Sequence, residues 1–292
     1  MKFETIATGF GLAEAPHADS RGVWFTDMAV GGVRCLRPDG HLDVWLAERK
    51  TIGGLAFNND GRILCSGSDG IIWLDPQSGR TGTLLGELNG RPIDGINDMM
   101  ADGRGGLFFG TVDHPNMFAG LPMRPSALCH LAANGRLRVL REGIRFANGF
   151  GLSPDGERLY HNDSSVGTRT YRIAPDSSLS ADVFLRQDGD CDGLAVDGAG
   201  AVWIARIVEG GLARILPDGS LDGVFPVPGG HVTSLCFGGE DRRDLYVTTA
   251  APDGGQAVMK RTQPEQLTGA LLRARASTPG LPERCAAFAL PG

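Results

Sequence analysis

Four oxygen-bearing residues recur at one position of a repeat: Glu14, Asn97, Asn148 and Asp192. Carboxylate and amide oxygens are the ligands a hard divalent cation prefers. Two carboxylates and two amides in one small space would repel one another and waste polar groups unless something joined them. No His or Cys holds that position, which disfavours a structural zinc site. A cation there polarises a carbonyl and acidifies water. Asp192, if partly free of it, is placed to take the water's proton. No nucleophile motif competes. There is no G-x-S-x-G, and Ser164-Ser165 follows a strand with no paired base evident.

The shared position follows from a repeat. Residues 145–163, RFANGFGLSPDGERLYHND, show the unit. Asn148 precedes an apolar run at 150–152, a Pro-Asp-Gly turn ends at Gly156, and a second apolar pair stands at 159–160. This reads as a β-hairpin. With Asn148 at position zero, Gly156 stands at position eight. The same frame fits Glu14 with Gly22, Gly53 with Gly61, Asn97 with Gly105, Asp192 with Gly200, and Thr233 with Asp241. The zero positions are spaced by 39, 44, 51, 44 and 41 residues. Six copies at that period predict an all-β fold, a six-bladed β-propeller of four-stranded antiparallel blades around a central channel, as one domain over residues 1–292.

Residues 2–6 are expected to close the ring by pairing with the last blade, which residues 286–290 also join. Residues 263–276 read as a helix or as degenerate strand. Each hairpin runs out and back. If the zero positions lie at one mouth of the channel, the ends of the second strands line that mouth as well: Asp27-Met28, residues 66–68 and 111–114, Asn162-Asp163, Arg206 and Thr249. His161 and His114 are candidate mouth residues; an exposed polar loop position is the plainer reading of His161. The long insertion at 112–126 (VDHPNMFAGLPMRPS) brings Met117, Phe118, Leu121, Pro122 and Met123 beside His114. With Met28 and Phe150 this apolar flap suggests a pocket for a ligand of low polarity. A loop packing its own apolar residues on the rim is the alternative.

Composition narrows the class. The chain has 292 residues, 44 glycines and a net charge of −6. No run of 18 apolar residues exists, so no membrane span is expected, and the N-terminus lacks the apolar stretch of a signal peptide. Without a basic cluster, nucleic-acid binding is not expected. The six cysteines are scattered without a C-x-x-C pair, as suits reduced thiols in a cytoplasmic protein.

Taken together, several of these residues resemble the gluconolactonase–regucalcin (senescence-marker-protein) family of six-bladed propellers. The resemblance covers about residues 9 to 250. It rests on Glu14-Ala15-Pro16, on Asn97-Asp98 with Gly110-Thr111, on Asn148-Gly149 with Ser153-Pro154-Asp155-Gly156, on Asp192-Gly193-Leu194, and on Cys236-Phe237-Gly238-Gly239. It implies hydrolysis of a lactone ring with one divalent ion (calcium, zinc, magnesium or manganese, with iron an option). Glu14, Asn148 and Asp192 would hold the ion, Asp192 would be general base, and Asn97 would contact substrate or a water on the ion. The chain departs from the family's pattern. Sugar-lactonase members tend to carry Arg where Gly95 stands, and it binds substrate hydroxyls; Arg91 is nearby but out of register. Family Glu-Gly-Pro is Glu-Ala-Pro here, and Pro before the ligand Asp is Cys191. His114, Met117 and Phe118 are then the candidates for substrate binding beside Asn97, and the apolar flap suggests a less polar lactone than an aldonolactone. The alternatives are another ester or phosphotriester hydrolase, with Asp98 and Asp163 as extra carboxylates, or a metal- or ligand-binding propeller without catalysis.

Overall fold

The computed structural model describes residues 1–181 and 183–291. Six four-stranded antiparallel sheets follow one another around a central channel, one per repeat. The inner strands are Ala13–Asp19, Leu55–Asn58, Ile96–Ala101, Ala147–Leu152, Leu194–Val196 and Val232–Gly238. Each position-zero residue lies on or just before one of them.

The repeat's punctuation has a mechanical reason. The position-eight glycines Gly22, Gly61, Gly105, Gly156 and Gly200 all have φ between +73° and +148°, where a side chain is strained. The sixth blade lacks that glycine, and Arg242 takes the left-handed conformation at φ 55°. Position five supplies the turn's internal partner. Asp197 accepts from the Ala199 and Ala201 amides at 3.0 Å and from Trp203 Nε1 at 3.0 Å. Asp19 accepts from Trp24 Nε1 at 3.1 Å, and Asp102 bonds His130 Nε2 at 2.7 Å. The turns therefore anchor themselves onto aromatic side chains of the next strands.

Ring closure comes from the N-terminus, as expected: Phe3–Phe10 pairs antiparallel with Gly269–Arg275 as the outer strand of blade six. The tail behaves differently from expectation. Cys285-Ala286 pairs parallel with Phe57-Asn58 on the inner edge of blade two, and Asn58 exchanges two hydrogen bonds with Phe288. The outer edge of blade six is already filled, so the tail finds another free edge. On the way it crosses the turn end of the channel: Gly280 bonds Arg242 O, and Ala287 bonds Gly105 O. Residues 281–284 thus floor a cavity of about 130 Å³ shared with inner strands of five blades. Residues 263–276 are not a helix. The helix (α2, Gly254–Lys260) comes earlier, ends where Arg261 turns left-handed at φ 56°, and Gly269–Arg275 is strand with Leu271 and Leu272 buried.

Asp197 is fully buried and also pairs with Arg214 at 2.7 Å, whereas the Asp19–Arg21 pair is part-exposed. Asp197→Ala is expected to cost about 3 kcal/mol in urea unfolding, because it leaves the buried Ala201 amide and Trp203 indole N–H without their acceptor. Asp19→Ala is expected to cost about 1 kcal/mol by the same measurement.

Candidate active site

The inner strands deliver their polar residues through β-bulges. Pairing slips between Glu14 and His17, between Ile96 and Met99, between Ala147 and Phe150, and between Val232 and Ser234. A bulge lets consecutive residues escape strict alternation and re-aims side chains. In this way Asp98, next to Asn97, also faces the site. The same slip makes Ser234, not Thr233, blade six's contribution: Thr233 is fully buried and bonds Ala13 O at 2.6 Å, while Ser234 hydrogen-bonds Glu14. Gly53 adds only space; a β-carbon there would come within 2.7 Å of Asn97 Oδ1.

Glu14, Asn97, Asn148 and Asp192 are each buried to 6–7% exposure. Burial, then the charges of Asp192 and Asp98, hold the Glu14 carboxyl far above its ordinary value. Asp192 is raised by burial and by Asp98, against a hydrogen bond from Asn148. Burial pushes Asp98 to about 7. No Arg or Lys is among the groups that act on these three carboxylates; Asp98 alone has an opposing charge, His17, which is itself paired with Glu283 at 3.1 Å. Isolated like charges in such a place are costly, and a hard cation is the group that would join them. The described residues offer it two carboxylates and the Asn148 amide rather than a cluster of three His, Cys, Asp or Glu side chains.

A second layer holds these residues still, and it too follows the repeat. Asp27 accepts from the Gly11 and Leu12 amides, three and two residues before Glu14. Asp163 accepts from the Arg145 and Phe146 amides, three and two residues before Asn148. Asp163 is thereby used up, with Arg169 beside it, and does not join the site. Asn162 donates to Asp192 O at 2.6 Å, and Ser164 donates to Cys191 O at 2.6 Å while accepting from Asn148 at 3.3 Å. Asn97 Nδ2 donates to Ala147 O at 3.1 Å, leaving its Oδ1 toward the Gly53 space.

The mouth is roofed. The insertion forms a helix (α1, His114–Phe118) that touches α2, and these come from blades three and six, opposite one another in the ring. Met117 packs on Leu12, Met28, Ala250, Ala257 and Val258, and the Arg261 guanidinium lies 5.2 Å over the Phe118 ring. Asp113 and Asp94 clamp the loop through Arg124. Met28 and Met117 therefore bury each other. Phe150 is not under this roof: it packs in the core between blades three and four and lines the floored cavity at the turn end. His161 is not an exposed mouth residue: it pairs with Phe150, its ring lies 4.8 Å from the Phe150 ring at a tilt of 33°, and it is fully buried. Neither of its nitrogens has a partner among the described residues, and burial lowers its pKa to about 3. His114 is buried on α1. Its ring stacks on Phe118 at 5.0 Å, and its Nδ1 meets Ser68 Oγ at 2.9 Å. Ser234 is the site residue the repeat register does not find, because the bulge puts it in the place expected of Thr233.

Comparisons with known proteins identify relatives of the chain. Residues 12–251 match the family model described as SMP-30/Gluconolactonase/LRE-like region. A pentonolactonase of Haloferax volcanii is 31% identical over 95% of each chain. A 6-deoxy-6-sulfogluconolactonase of Pseudomonas putida is 27% identical over 89% of each. The fold matches a crystal structure described as a calcium-binding protein, regucalcin, from Agrobacterium tumefaciens, with a TM-score of 0.80 at 24% identity over 96% of each chain.

The raised carboxyls set a pH dependence. A carboxyl whose pKa is raised by folding supports the fold below its unfolded value of about 4 and costs stability as pH rises through its folded value. For Asp98 that window ends at about 7. Cation-free protein is therefore expected to lose thermal stability from about pH 5 to about pH 8. A divalent cation at about 100 times its Kd is expected to return about 2.7 kcal/mol at the upper end. Differential scanning calorimetry with and without chelator checks both.

Proposed function

The chain belongs to the SMP-30/gluconolactonase/LRE-like family and is a lactonase, and we propose that it opens the lactone ring with the help of one divalent cation held by Glu14, Asn148 and Asp192. The observation that carries the cation is the burial of Glu14 and Asp192 beside half-buried Asp98, with no Arg or Lys among the groups that act on any of the three and only His17 opposing the charge of Asp98. A bound divalent ion supplies Lewis acidity toward the ring carbonyl and acidifies water. The ion proposed is calcium, zinc, magnesium or manganese; the regucalcin of the same fold is described as calcium-binding.

The chain's own residues do the rest. Asp192 takes the proton of the attacking water as the carbon–oxygen bond forms. It returns that proton to the ring oxygen as the ester bond breaks, and a hydroxy acid results. Asn148 orients the Asp192 carboxylate through its hydrogen bond. The floor made by residues 281–284 closes the turn end, so substrate arrives under the roof of α1 and α2. We assign substrate contact to Asn97, His114 and Phe118, with Met117 seating the roof above them. With glycine at 95, the site offers fewer polar handles than one with arginine there. We propose a lactone less polar than gluconolactone, and a five-carbon lactone fits, as in the pentonolactonase relative. The free cysteines, five of them buried, support a cytoplasmic location as a proposal. A phosphotriester reading asks for Asp98 and Asp163 around the ion, and Asp163 is spent on backbone amides and Arg169.

The test is a lactone panel on metal-stripped protein with single cations added back. Ring opening is expected only with cation. Asp192→Asn is expected to reduce turnover by at least about 100-fold, and Glu14→Gln to weaken cation binding by calorimetry. Ring opening that persists undiminished in excess chelator would overturn the cation-assisted reading.

A further inference from the structure

Thr51 is a β-branched residue with φ +62°, in the left-handed region such residues avoid, and it is buried. Strain of that kind persists only where surrounding contacts hold it. Here the holding contacts lead to His114. The Thr51 amide donates to Met28 O at 3.0 Å. Its hydroxyl donates to Lys50 O at 2.6 Å, a distance two oxygens tolerate only with a proton between them. Thr51 Oγ1 also meets Ser68 Oγ at 3.0 Å, and Ser68 Oγ meets His114 Nδ1 at 2.9 Å.

Counting protons gives this chain a direction. The Thr51 proton is committed to the Lys50 carbonyl, so the Ser68 proton must serve the Thr51–Ser68 contact. Ser68 Oγ is then an acceptor toward His114, and Nδ1 carries the hydrogen. The opposite order would set the lone pairs of Thr51 and Ser68 against each other. Burial lowers the His114 pKa to about 4, so the ring is neutral near pH 7. Its other nitrogen, Nε2, is then an unprotonated acceptor. That atom has no hydrogen-bond partner among the described residues, and it is not among their sealed, unpartnered polar atoms, as both His161 nitrogens are. The ring's position is equally constrained. A β-carbon at Gly95 would lie 2.5 Å from Nδ1 and 2.8 Å from Cγ, so the imidazole occupies the space beside residue 95. Phe118 covers it from the roof.

We infer that Thr51 and Ser68 lock His114 as the Nδ1–H tautomer, so that Nε2 accepts a hydrogen bond from a hydroxyl of the lactone. The site then selects lactones that carry a hydroxyl at that place. It disfavours those presenting only acceptors there, such as a carboxylate or sulfonate, because two lone pairs would meet. Thr51 and Ser68 are positioning residues; His114 is the contact. The ligand class rests on the lactonase reading, while the tautomer does not.

The experiment uses the full chain with calcium, labelled with 15N at its six histidines, His114 being identified by the resonance lost in His114→Phe. Long-range 1H–15N correlation is expected to show a protonated Nδ1 and a pyridine-like Nε2, and Ser68→Ala to give a mixture of tautomers. A hydroxylated lactam, an unreactive counterpart of the lactone, is expected to shift the Nε2 resonance. It should bind about tenfold more tightly than the unsubstituted lactam, the worth of one hydrogen bond. That margin is expected to vanish in His114→Phe. A protonated Nε2 in the unmodified protein, or equal binding of the two lactams, overturns the inference. If no lactone is opened while the hydroxylated lactam still shifts Nε2, the lactonase reading falls and the recognition by His114 stands.

Discussion

Placing several carboxylates out of water in one channel is the constraint on which this structure depends. Two like charges about 4 Å apart repel by about 4 kcal/mol at an effective dielectric of about 20. Glu14, Asp98 and Asp192 bear that repulsion together, and burial raises all three pKa values. A fold tolerates such a cluster only if other contacts prevent its residues from moving apart. The second layer around them has that effect. Asp27 and Asp163 tie down the backbone ahead of Glu14 and Asn148, and Asn162 and Ser164 tie down the backbone at Asp192. These buried polar groups are satisfied by backbone amides and carbonyls, which makes them structural rather than reactive.

The propeller suits this task because its inner strands converge without sharing edges. Each blade contributes a short segment from a separate sheet, so a side chain at the axis is positioned by one hairpin and its bulge. The turn ends are anchored by the position-five residues onto Trp24, Trp203 and His130. The channel is then crossed at both ends by segments outside the blade pattern. The tail floors it, and the insertions of blades three and six meet above it. Water exclusion strengthens electrostatic interactions within, which suits a site whose chemistry depends on a charge developing at a carbonyl.

The apolar insertion illustrates how a sequence pattern can have two uses. Its methionine and phenylalanine stand beside His114 as the residue order suggests, but Met117 is consumed in sealing the roof against Met28 and its neighbours. What the proposed reading leaves for substrate is the stacked ring pair of His114 and Phe118 rather than a broad apolar wall. Polarity at the mouth is therefore reduced by the glycine at 95 more than by added apolar surface.

Much of this was legible in the residues alone. The repeat period, the left-handed turn position and the recurrence of Glu14, Asn97, Asn148 and Asp192 at one register are local properties, written in spacing and in what glycine alone does easily. They determined the propeller and the ring of oxygen-bearing side chains. Tertiary structure decided what depends on bulges and on meetings between distant segments. A one-residue slip brought in Asp98 and exchanged Thr233 for Ser234, because strand alternation fails at a bulge. His161 was carried into the core by its pairing with Phe150, and the tail went to blade two because the N-terminal strand had already occupied the edge of blade six. The Thr51–Ser68–His114 chain joins three blades' connections across as many as 63 residues of sequence. Such contacts are set by the closed ring, and no local pattern encodes them.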